Sequence, residues 1–88
     1  MSTATLRALP AIPSQLPDED MSYMQAIACD LLEGAWYMKP TPLRDWLVDV
    51  SLRLMDATES LEDEDAKLER TNARAWARDI RAGLAPEG

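Results

Sequence analysis

Residues 41–57 read TPLRDWLVDVSLRLMDA, and the spacing within this stretch decides what kind of fold the chain makes. Leu43, Trp46, Leu47, Val50, Leu54 and Ala57 recur at intervals of three and four, the period of an α-helix. Thr41 offers a capping hydroxyl and Pro42 a φ already fixed for the first turn, so the helix starts there. At about 100° per residue, Val48, Leu52 and Met55 gather on a second face about 160° from the first. A helix of a three-helix bundle touches two neighbours on adjoining sides. Opposed stripes therefore predict that one face meets the chain's own core. The other is expected to be covered by the N-terminal arm, another subunit or a foreign protein, which makes Val48, Leu52 and Met55 candidate partner-binding residues.

On the N-terminal side, Met21, Met24, Ala28, Leu31, Ala35 and Met38 follow the same alternation, predicting a helix over 21–38. Asp18, Glu19 and Asp20 suit its positive end, with Asp20 as the expected cap, and Lys39-Pro40 closes it. Cys29, Leu32 and Trp36 form a second apolar edge. Trp36, off the main stripe and beside Tyr37 just before the Pro40 turn, is placed at an interface together with Tyr37.

On the C-terminal side, no glycine or proline falls between Leu43 and Ala82, so one helix of about 60 Å is geometrically allowed. Charge argues for two. Residues 56–60 can break the segment, and Ser60 followed by Asp63 three residues on is a variant of the capping box. Glu62, Asp63, Glu64 and Asp65 then suit a first turn, Arg78 and Arg81 a last turn, and Gly83 and Pro86 an end. A third helix over 61–82 is predicted, packing through Leu61, Leu68, Ala73, Trp76, Ala77, Ile80 and Leu84. The expected fold is all-α: a proline-rich extended arm over 1–17 and a small acidic three-helix domain over 18–88.

Composition agrees. The chain has 88 residues, valine and isoleucine number only five together, and hydrophobic residues make up 47%, largely alanine and leucine, which favours helix over strand. With no histidine and the single Cys29, an ordinary zinc site, a Ser-His-Asp triad, a Cys-His pair and an internal disulfide are all excluded. The acidic run 62–65 lacks the turn glycine of a calcium loop and reads as a solvated helix start. No cofactor is expected. Nine basic against sixteen acidic residues, net -7, argue against direct nucleic-acid binding. No apolar run suits a membrane span or signal peptide, so a cytoplasmic protein is expected. Seven of the nine basic residues are arginine, a bias in keeping with GC-rich coding and a bacterial or phage source.

Two short stretches invite comparison with known families. Arg7-Ala8-Leu9-Pro10-Ala11-Ile12-Pro13 resembles class I ligands of SH3 domains, a basic residue preceding two X-Pro pairs; the resemblance implies a polyproline II arm that docks in aromatic grooves. The plain alternative is a proline-rich leader packed loosely on the body. Glu59-Ser60-Leu61 is similar to the Asp-Ser-Leu of acyl carrier proteins, but Glu64 stands where that family has an apolar residue and too little chain follows, so the carrier reading is rejected.

Arg70, Arg74 and Arg78 recur every four residues and line one helix face. They are candidate partner-binding residues. Such a stripe can be a solvated face, can reach acidic groups on another molecule, or can pair with residues 62–65 of an antiparallel second copy in a homodimer. The leading functional expectation is a non-enzymatic protein–protein interaction module, an acidic inhibitor or regulator that occludes another protein, as phage-encoded antagonists, antitoxins and immunity proteins do. A DNA mimic or nucleic-acid-linked transcriptional regulator is the alternative. A small dimeric helical enzyme ranks third, since no matched acid or base accompanies the arginines.

Overall fold

A computed structural model describes residues 11–13 and 15–84 and contains three helices: α1 (Asp18–Trp36), α2 (Pro42–Asp56) and α3 (Glu64–Arg81). No strand occurs among the described residues. The all-α expectation therefore holds, with boundaries that shift for local reasons. Pro17, extended at φ -60° and ψ 152°, precedes α1, and Met21 N–H already donates to its carbonyl at 3.1 Å. Asp20 lies inside the first turn instead of capping it. At the other end Tyr37 N–H and Met38 N–H close tight turns onto the Gly34 and Ala35 carbonyls, so α1 stops two residues short of Met38. The start of α2 is as expected: Thr41 Oγ1 accepts from Arg44 N–H at 3.2 Å, with Pro42 in the first turn.

The third helix starts three residues later than its charge pattern suggested. Ser60 does not cap it; its hydroxyl lies 3.2 Å from Met21 Sδ, and Asp63 precedes the helix. Residues 57–61 are used as turns, with Leu61 N–H donating to the Thr58 carbonyl at 2.9 Å. Termination at Gly83 is a Schellman motif. Gly83 N–H reaches the Ile80 carbonyl at 3.1 Å and Leu84 N–H the Asp79 carbonyl at 3.0 Å, and φ is +79° at Gly83, a conformation that disfavours any residue with a Cβ. Pro86 and the stretch 7–10 of the SH3-type motif lie outside the described residues. Residues 11–13 and 15–17 are non-helical, and Leu16 packs on a small cluster of Met21, Leu61 and Ala66.

All three helix pairs are in contact, around a core of Ala28, Leu32 and Ala35 from α1, Val48 and Met55 from α2, and Ala73, Ala77 and Ile80 from α3. Alanines on α1 and α3 let the backbones approach closely. Burial of Leu32, Met55 and Ile80 supplies about 2 kcal/mol each. On α1 and α2 the buried arc lies between the two apolar edges counted from the sequence, whereas on α3 Ala73, Ala77 and Ile80 of the one counted stripe are buried as expected. On α1 the centre is Leu32 and Gln25, with Leu31 and Met24 only half-buried. On α3, Arg70 is buried whereas Leu68 and Leu84 are exposed.

The two stripes of α2 receive the same correction. Val48 and Met55 are fully buried in the chain's own core, and Leu52, half-buried, packs against it, so no arm, subunit or foreign protein is needed to cover them. Leu47 and Leu54 of the other stripe border the same core. What joins two stripes about 160° apart is a polar middle, Arg44 and Ser51. Ser51 returns its hydroxyl to the Leu47 carbonyl at 2.8 Å, and Arg44 Nη1 donates to the Met38 carbonyl at 3.3 Å.

A buried polar node ties the helices together. Thr58, fully buried after α2, donates to the Met55 carbonyl at 2.7 Å and accepts from Gln25 Nε2 of α1 at 2.9 Å. Gln25 also reaches the Ala66 carbonyl of α3 at 3.2 Å. Arg70 of α3 donates to the Thr58 carbonyl at 2.5 Å and the Leu61 carbonyl at 2.8 Å, with the Glu59 carboxylate 3.8 Å from its Nε. Each bond contributes on the order of 1 kcal/mol, but an orphaned partner here would cost about 1–3 kcal/mol. No described helix is long and apolar enough to cross a membrane.

Candidate interaction furrow

The core is filled by small and aliphatic side chains, and none of the five aromatic residues is fully buried. Tyr23 and Tyr37 are exposed, and Trp36, Trp46 and Trp76 are half-buried. Trp36 of α1 and Trp76 of α3 meet edge to face, with ring centroids 6.1 Å apart and planes at 61°. Together they flank a hollow of about 410 Å³ whose other walls are Cys29, Glu69, Asn72, Ala73, Ala75 and Asp79. Through Cys29 and Glu69 it continues into a second hollow lined by Ser22, Gln25, Ala26 and Asp30, and through Ser22 and Ala26 into a third beside Glu19 and Tyr23. The first two hollows form a furrow between α1 and α3, with exposed Leu68 next to Glu69 on α3, and the third is lined by α1 alone.

Helix geometry explains who lines it. Cys29 and Trp36 are seven residues apart and share a face, as do Glu69, Asn72, Trp76 and Asp79 at intervals of three and four. These edges flank the alanine stripe of the core, so α1 and α3 touch through small residues while larger ones splay outward. The Cys29 thiol donates to Glu69 Oε1 at 3.2 Å. Burial, then that hydrogen bond, then the charges of Glu69 and Asp30 push its pKa up to about 11. The thiol is therefore neutral at physiological pH and a poor nucleophile, and it serves the furrow as packing surface and weak donor.

The residues singled out from the sequence separate into distinct environments. Trp36 lies in the furrow; Tyr37 is exposed but lines none of the three hollows. Val48, Leu52 and Met55 belong to the core, and Arg70 to the buried node. Arg74 binds Asp56 at the end of α2 at 2.9 Å and Glu59 between α2 and α3 at 2.5 Å. Arg81 binds Asp49 of α2. Arg78, its side chain 76% exposed, pairs only with its neighbour Asp79, at 3.8 Å. The carboxylates expected from outside the helix are supplied by the chain itself. Glu69, Asn72, Trp76 and Asp79 were the residues missed, although their spacing beside the alanine stripe is legible once that stripe is known to be core.

No group of histidine, cysteine or carboxylate side chains suited to a metal ion occurs among the described residues. Compared with protein-family models, curated proteins and solved structures, the chain matches none.

Proposed function

We propose that the chain is a non-enzymatic interaction module that binds and occludes another protein through the α1–α3 furrow. The observation that carries this reading is the placement of the aromatic residues: a core that holds none of them completely leaves Trp36 and Trp76 to line an open hollow. Large, rigid, half-exposed aromatic surface is the usual source of binding energy at protein interfaces. The furrow offers no activated nucleophile to set against this, since its one thiol is held neutral.

The test is affinity purification from the organism that encodes the chain, with wild type beside two variants. Trp36→Ala removes an anchor, and Asn72→Arg fills the hollow from an exposed position. Both should retain the helical circular dichroism spectrum. Wild type should recover one protein in stoichiometric amount and both variants should lose it. Recovery of nucleic acid alone would instead favour the DNA-mimic alternative, and full recovery by both variants would exclude the furrow.

A further inference from the structure

The edges of α3 differ in charge. Along one, Arg70, Arg74 and Arg81 face α2 and the segment before α3, where Glu59, Asp56 and Asp49 pair with them. Along the other, Glu69 and Asp79 face the furrow, to which α1 adds Asp30. No lysine or arginine lines any of the three hollows. The nearest opposite charge described for these three carboxylates is Arg78, 3.8 Å from Asp79 and mostly in solvent.

We propose that the furrow receives a basic segment of the partner protein, one cationic side chain lying on the Trp36–Trp76 pair beside Asp79 and a second at Glu69 and Asp30. This rests on the interaction reading above and specifies the chemistry of the occupant. Indole faces attract a guanidinium or ammonium group through their negative quadrupole, and an adjacent carboxylate strengthens the attraction where water is partly excluded. Asp79 and Glu69 are ten residues apart on α3, about 15 Å along its axis, which sets the separation of the two cations. Ala26, Ala73 and Ala75 give the segment an apolar floor against which its remaining side chains pack. The pKa of Cys29 is raised first by burial and then by Glu69 and Asp30, in keeping with the placement of these two carboxylates beside it.

The experiment is an NMR titration of the full chain with an end-capped amphipathic peptide of arginine and leucine, and with its counterpart carrying glutamate for every arginine. The arginine peptide should shift the indole N–H signals of Trp36 and Trp76, weaken with added salt, and bind about tenfold less tightly to a Glu69→Gln, Asp79→Asn double variant. The glutamate peptide should leave those signals in place. Equal binding of both peptides, unchanged affinity in the double variant, or shifts centred on residues 62–65 would overturn the cationic assignment. The two readings fail separately: a native partner that is lost in Trp36→Ala but bound normally by the charge double variant would keep the furrow and remove the basic segment.

Discussion

Arg70 and Arg78 sit eight residues apart on one helix face, yet their surroundings give them opposite weight. Replacing Arg70 by alanine strands the buried Leu61 carbonyl, takes one of two donors from the Thr58 carbonyl and empties a buried position, so a loss of about 3 kcal/mol is expected in urea denaturation. Arg78→Ala, at a solvated position, should change stability by less than about 0.5 kcal/mol. Equal effects would mean that the node does not form. Cys29 gives a second test with a definite sign. Its pKa is raised from 9.0 to about 11, so the folded state holds the thiol proton more tightly than the unfolded chain. The associated stability is complete below pH 9 and is lost as pH rises towards 11. Iodoacetamide alkylation of the native chain should accordingly stay slow through pH 9 and accelerate only beyond it. Glu69→Gln should move that rise to lower pH, because it removes a negative charge beside the sulfur.

At the scale of the helix, Leu52→Glu distinguishes a core stripe from an interface stripe. The structure packs Leu52 against the core, so the variant should melt at lower temperature, with a loss of about 2 kcal/mol, while retaining partner binding at temperatures where it is folded. Unchanged stability with lost binding would return the stripe to an interface. The existence of three helices, the Thr41-Pro42 start and the Gly83 stop were legible because each depends on local spacing or local capping chemistry. Faces were legible only to within about one helix quadrant. Apolar counting places the centre of a face on leucine and methionine, whereas Gln25, Ser51 and Arg70 occupy buried positions through bonds to residues distant in sequence or to their own backbone. Trp36, expected off the main stripe of α1, is half-buried at the edge of the core. Its α3 neighbours Glu69, Asn72 and Asp79 were not legible, since they flank a stripe in which alanines carry little hydrophobic signal and leave the direction of the adjoining edge open.

For the molecule as a whole, the pairing of Arg74 and Arg81 within the chain removes the reason for an antiparallel homodimer built from residues 62–65 and the arginine stripe. Sedimentation at low ionic strength should show a monomer; a dimer dissolved by salt would restore that arrangement. Internal pairing also means that the net charge of -7 is not spread evenly, the carboxylates of the furrow, of which Asp79 alone has a described ion pair, being part of the excess. The two indoles that flank it have an optical consequence. Chromophores 6.1 Å apart with planes at 61° are close enough to couple their excited states, with a strength set by the distance and mutual orientation of their transition dipoles. The far-ultraviolet dichroism of the chain should therefore contain a bisignate band from Trp36 and Trp76 that disappears when either is replaced by phenylalanine. The amplitude of that band measures the separation of α1 and α3 without any added label, so whatever occupies the furrow can be followed by how far it moves the two rings apart.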